Sequence, residues 1–126
     1  MIGFVISFAL IFRGANDVQT GLVVDTLDTP IFRGLGDGGE VLNGAITVDI
    51  FGDLFLKQVI KVKKGSTVIW LNKDLDAHQI IEKDNLFESP VLNRGSSFAM
   101  DFDDVGVYDY YDKLDYSIVG RVIVVE

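Results

Sequence analysis

The chain has 126 residues, 48% of them hydrophobic, which suffices for one domain with its own core and is short for two. Its 11 Lys and Arg against 19 Asp and Glu leave a formal net charge of −8, the wrong sign for gripping nucleic acid or an anionic membrane. With no cysteine and a single histidine, His78, the chain excludes disulfides, thiolate metal sites, iron–sulfur clusters, cysteine nucleophiles and two-histidine motifs. No apolar run reaches the roughly 18 residues of a membrane span.

Along the chain, Ile2, Phe4, Ile6, Phe8, Leu10 and Phe12 are large while Gly3, Val5, Ser7 and Ala9 between them are smaller. That period of two predicts a strand with one heavily packed face. The run lacks a preceding basic region, and Arg13-Gly14-Ala15 is a poor cleavage sequence, so a strand explains it better than an export signal. A second apolar stretch covers Leu22 to Leu27 and ends at the turn Asp28-Thr29-Pro30. Ile-Phe-Arg-Gly recurs at Ile11–Gly14 and Ile31–Gly34, too short a match to define a repeat. Gly34-Leu35-Gly36-Asp37-Gly38-Gly39 reads as a linker or wide turn, because no Gly-Lys-Ser/Thr and no helix follow it. Residues 1–43 are therefore expected to form a strand or hairpin extension. Its apolar stripe needs cover, from its own subunit or from a neighbour by strand addition, and homo-oligomerisation through this arm is the expectation.

From Gly44 onward the chain alternates in short strands. Ile46, Val48 and Ile50 share one face, Ile60 and Val62 the next, then Val68 with Trp70, Phe98 with Met100 and Phe102, Val107 to Tyr111, and Val122 to Val125. Turn sequences at Gly52-Asp53, Gly65-Ser66, Asn93-Arg94-Gly95 and Asp103-Asp104-Val105-Gly106 separate them, and no stretch carries a helical period. This spacing predicts an all-β chain, an antiparallel Greek-key β-sandwich over residues 44–126. Trp70 and Met100 read as core, and Tyr108, Tyr110 and Tyr111 as a packed aromatic strand.

The segment Val62-Lys63-Lys64-Gly65-Ser66-Thr67-Val68-Ile69-Trp70-Leu71-Asn72 resembles the Gly-Asp-Thr-Val-x-Trp-x-Asn strand of the cupredoxins, in their amicyanin and plastocyanin branch. Gly44-Ala45-Ile46-Thr47-Val48-Asp49-Ile50 is similar to the first amicyanin strand, and Leu92–Phe98 to the middle of plastocyanin-like domains. Gly106-Val107-Tyr108-Asp109-Tyr110-Tyr111 leads into the position of the family's ligand loop, and Gly120-Arg121-Val122-Ile123-Val124 leads out of it. The resemblance implies a cupredoxin-like domain over 44–126 with a periplasmic or extracellular address. It also implies that His78, eight residues after Trp70, stands where the family has its first copper-ligating histidine, and that Asn72 ties the ligand loops together.

The ligand loop departs from the family. Where the pattern is Cys-x-x-His-x-x-Met, this chain has Asp112, Asp115 and Ile118, and Tyr116 stands where proline is usual. A blue copper centre depends on a copper–thiolate bond, so no type 1 copper and no ordinary type 1 electron transfer are expected. The resemblance instead implies that His78, Asp112 and Asp115 converge as one imidazole and two carboxylates. Such a set suits a divalent metal such as copper or zinc, with Asp74 and Asp76 as outer charge or a further oxygen donor. The alternative is a metal-free structural subunit that assembles through its N-terminal strand. An enzyme using Asp112 and Asp115 as acid and base finds no nucleophile motif or cofactor fingerprint beside them, so no catalytic role is assigned.

Overall fold

A computed structural model describes residue 32 and residues 34–126 of the chain. The expected strand at 2–12 and the apolar stretch at 22–27 lie outside the described residues, as does most of the arm expected to associate.

The described chain holds eight strands: β1 (Val41–Leu42), β2 (Ala45–Ile50), β3 (Val59–Lys63), β4 (Ser66–Asn72), β5 (Ile80–Glu82), β6 (Ser97–Phe102), β7 (Gly106–Asp112) and β8 (Asp115–Val125). They build a five-stranded sheet in the order β1-β3-β8-β7-β5 and a three-stranded sheet in the order β2-β4-β6. The alternation seen in the sequence is the cause. In β2 the inward Ile46, Val48 and Ile50 are buried while Ala45 and Thr47 are exposed, and in β4 Val68 and Trp70 are fully buried.

Trp70 stands at the centre of the layer between the sheets. Its ring lies 5.1 Å from Tyr110 edge-on, 5.9 Å from Phe98 and 6.0 Å from Phe87, centroid to centroid. Aromatic contacts of this kind add to the area term, and truncating such a tryptophan to alanine typically costs about 3–5 kcal/mol. Tyr110 lies across Gly120, its partner in the β7–β8 pair, and a Cβ on Gly120 would sit 2.4 Å from the ring's Cζ. Glycine is required at 120 by that close approach. Met100 and Phe98 are partly buried against the same core, as their alternation predicts.

Pairing direction is where the structure adds to the sequence. β4–β6, β5–β7 and β7–β8 are antiparallel, whereas β1–β3, β2–β4 and β3–β8 are parallel. Period-two patterning records which face is buried, and it is the same for both directions. The parallel pairs arise because the chain changes sheet between sequential strands. The Lys64-Gly65 turn makes one such crossing, and it is stitched to both sheets. Lys64 N–H donates to Val125 O and Gly65 N–H to Phe102 O, each at 2.7 Å.

The 112–120 segment is also more regular than a ligand loop. β7 and β8 close on a two-residue turn at Lys113-Leu114, and β8 runs from Asp115 through the positions where the sequence suggested an open loop. The Gly-rich segment at 34–39 forms no strand, as its composition predicts.

Candidate metal centre

β4 ends at Asn72 in the three-stranded sheet, and β5 begins at Ile80 in the other. The intervening residues must cross the end of the sandwich, and they carry His78 over its core. Asn72, fully buried, holds this crossing in place. Its Nδ2 donates to Asp76 O and to Leu92 O, both at 2.8 Å, and its Oδ1 accepts the Asp74 N–H at 2.8 Å. These bonds tie the crossing to Leu92; none of them reaches the 112–118 segment, so the tie between the two ligand loops that the resemblance implied for Asn72 is not what its side chain makes here. His78 is then pinned through its backbone, donating N–H to Leu92 O at 3.0 Å and accepting Leu92 N–H at 2.7 Å.

The His78 side chain is buried, and both ring nitrogens face carboxylates. Nδ1 lies 2.5 Å from Asp112 Oδ2, and Nε2 lies 2.9 Å from Asp74 Oδ2. Asp112 is itself buried at the end of β7, where its Oδ1 accepts the N–H groups of Gln79 at 3.0 Å and Leu114 at 2.9 Å. A carboxylate so held has a fixed orientation, and it fixes the imidazole in turn. Asp74 is held from the opposite side. Its Oδ1 accepts the Gly52 N–H at 2.8 Å and its Oδ2 the Asp53 N–H at 3.2 Å. Gly52 and Asp53 have φ of 65° and 56°, and this left-handed turn aims two successive N–H groups at one carboxylate.

The electrostatics follow from these contacts. Burial pulls the His78 imidazole down, but the hydrogen bonds and charges of Asp112 and Asp74 outweigh it and leave its pKa above the ordinary 6.5. Burial pushes Asp74 up, yet the Gly52 and Asp53 amides and His78 outweigh it and hold its carboxyl below the usual range.

Asp53, Asp74 and His78 each offer one ligand atom, and the three atoms lie within 4.8 Å of one another. Asp53 entered the sequence reading only as part of a turn. Nothing in spacing could couple it to His78, because the two meet only through the fold. Of the three residues named from sequence, His78 and Asp112 are in contact. Asp115 is exposed at the start of β8, where its Oδ1 accepts Ser117 N–H at 3.0 Å and Ser117 O–H at 2.7 Å. Those Ser117 bonds, with a small contribution from His78, hold the Asp115 carboxyl below its ordinary range. Beside it, Tyr116 packs edge-on against Tyr111 with centroids 5.1 Å apart.

Amicyanin from Paracoccus denitrificans is 28% identical to this chain over 90 residues, a span of 68% of this chain and 69% of that protein. A solved structure of an oxidised amicyanin mutant matches with a TM-score of 0.62 and 26% identity, covering 65% of this chain and 83% of that one. The two sheets have a cupredoxin-like fold. A copper-containing nitrite reductase from Thermus scotoductus shares the fold, with a TM-score of 0.62 and 24% identity over 65% of this chain and 22% of the reductase. No protein-family model matches the chain.

Type 1 copper does not fit this cupredoxin-like domain. There is no cysteine in the chain, and the residue at the thiolate's spacing, Asp112, is a hard oxygen donor already committed to His78 and two backbone amides. A divalent ion with nitrogen and oxygen ligands does fit the donor set on the other side of the ring. Two ligand atoms bound at right angles to one ion, each at ~2.1 Å, stand about 3 Å apart. Nε2 and Asp74 Oδ2 are at 2.9 Å.

Proposed function

We propose that this cupredoxin-like domain binds a divalent cation such as copper or zinc in a non-blue site, with His78 Nε2, Asp74 and Asp53 as ligands. The observation that carries the reading is the division of labour around one imidazole. Nδ1–H donates to Asp112, which leaves Nε2 for Asp74, with an Asp53 oxygen in the same group of ligand atoms. A metal-bound histidine ordinarily donates its other N–H to a carboxylate, which fixes the tautomer and raises ligand basicity. Carboxylates at both nitrogens favour a second proton on the metal-free ring, and the cation takes the place of the one on Nε2. Asp115 is the third residue of the sequence reading, and its engagement with Ser117 favours Asp74 and Asp53 over it. The domain is in this reading a binding module and not an enzyme, at a periplasmic or extracellular address that cell fractionation tests.

The experiment is elemental analysis after loading with copper, zinc, manganese and iron and dialysis, with circular dichroism to confirm folding. Wild type and Asp115→Ala should each retain about one equivalent, whereas His78→Gln and Asp74→Asn should retain little. Loss of metal from Asp115→Ala with retention by Asp74→Asn would move the site to the other face of the ring. The competing reading is a metal-free subunit associating through residues 1–43, favoured by the large-small alternation of Ile2 to Phe12. It requires no retained metal in wild type and a light-scattering mass above that of the monomer.

A further inference from the structure

Beside the cation ligands lies an open cavity of about 380 Å³, lined by Asp53 and Asp74 together with Phe51, Leu75, Lys73 and Arg94. Resting on the proposed cation site, we infer that this cavity admits a small organic carboxylate, which completes the coordination of the cation at one end and pairs with Arg94.

Three protein ligands leave a divalent cation with open positions. Asp112, which meets the other ring nitrogen, and Asn72 and Leu92, which hold the crossing, are all buried. Asp53 and Asp74 line the cavity, so a further ligand reaches the cation from there. The two cations of the cavity differ. The Lys73 ammonium sits 2.9 Å from Asp49 Oδ2 and is already paired there. Arg94 forms no ion pair among the described residues. Its backbone is nevertheless fixed to the site. Gly95 N–H donates to Asn72 O at 2.7 Å, Ser96 N–H to Asn93 O at 2.9 Å, and Leu92 O accepts from Asn72 Nδ2. The residue that orients Asp74 thus also anchors the turn that carries the guanidinium.

Charge sets the order of binding. The cavity's Asp53, Asp74 and Asp76 outnumber its Lys73 and Arg94, so without the cation an anion is repelled. A divalent ion reverses that balance. Phe51 and Leu75, 56% and 83% exposed, offer apolar walls to the carbon part of the ligand. A guanidinium matches a carboxylate in charge and geometry.

The test uses the full chain loaded with Cu(II), which binds nitrogen and oxygen donors most tightly among the divalent first-row ions. Azide is the anion probe, because its charge-transfer band with Cu(II) develops only on coordination, and phenylacetate is the competitor. The band should saturate at one azide per copper, and phenylacetate should abolish it. Arg94→Gln should weaken both anions about tenfold while copper affinity stays unchanged, as for loss of one charge-assisted hydrogen bond. Copper bound without an azide band, a band indifferent to phenylacetate, or equal anion affinity in Arg94→Gln would each overturn this inference and leave the cation site standing. Failure to bind one equivalent of copper would overturn the cation site and this inference with it.

Discussion

Replacing Asp112 by asparagine keeps the shape of the side chain and removes only its charge and one acceptor. The remaining carbonyl oxygen can still accept Gln79 N–H and Leu114 N–H, which now lie at 3.0 and 2.9 Å. The amide nitrogen must then stand where Oδ2 is, 2.5 Å from His78 Nδ1. Two donors face each other there unless Nδ1 gives up its proton, and a neutral ring then carries its proton on Nε2, the atom assigned to the cation. Two separate losses follow. Cation affinity should fall 10- to 100-fold, the usual effect of removing the carboxylate behind a ligating histidine, or about 1.4–2.7 kcal/mol. Stability of the metal-free protein should fall by about 2–4 kcal/mol, because a buried charged partner is lost. Isothermal titration with Zn(II) reads the first and urea unfolding, with unchanged m, reads the second. Wild-type affinity in Asp112→Asn, with the expected loss of stability, would refute the orienting role and leave Asp112 a structural residue only.

Asn72→Ala removes three hydrogen bonds from a fully buried position and should cost about 3 kcal/mol in urea unfolding, with a parallel loss of Zn(II) affinity because Asp74 is no longer held. A stable variant with full affinity would show that the crossing is positioned without Asn72. His78 is the single histidine, so one imidazole titration in ¹⁵N NMR of the metal-free protein should have its midpoint above 6.5. Because the folded-state value is raised, the stability that His78 contributes is present in full below 6.5 and is lost as pH rises through the folded-state pKa. The unfolding free energy of wild type minus His78→Gln should therefore shrink with rising pH, and a flat difference would contradict the double carboxylate clamp. Zn(II) affinity should move the other way, rising with pH as the Nε2 proton is released. Gly120→Ala places a Cβ 2.4 Å from Tyr110 Cζ inside the core and should destabilise by about 3 kcal/mol or prevent folding. Near-wild-type stability would mean that the ring moves aside at little cost.

By itself the sequence determined the all-β class, the inward faces of β2, β3, β4 and β6, and the burial of Trp70, because burial on one side of a strand imposes a period of two that survives in any topology. Chemistry by subtraction was equally legible: a chain without cysteine and with Asp112 at the thiolate's spacing has no means of holding type 1 copper. His78 and Asp112 were legible as neighbours only through the resemblance to the cupredoxins, which implied that the position eight residues after Trp70 and the one after Tyr110-Tyr111 converge. Only the tertiary structure decided which strands run parallel, since both directions bury the same residues. It also decided which carboxylates meet the imidazole. Asp115 follows Asp112 closely in the chain, but the two-residue turn at Lys113-Leu114 closes the hairpin and leaves Asp115 to Ser117. Asp53 is far upstream and reaches the site because the left-handed turn at Gly52-Asp53 delivers its amides to Asp74. Contacts made by crossing from one part of the fold to another leave no spacing in the sequence, and the approach of Asp53 to His78 is of that kind, whereas Asp74 stands only four residues before the histidine.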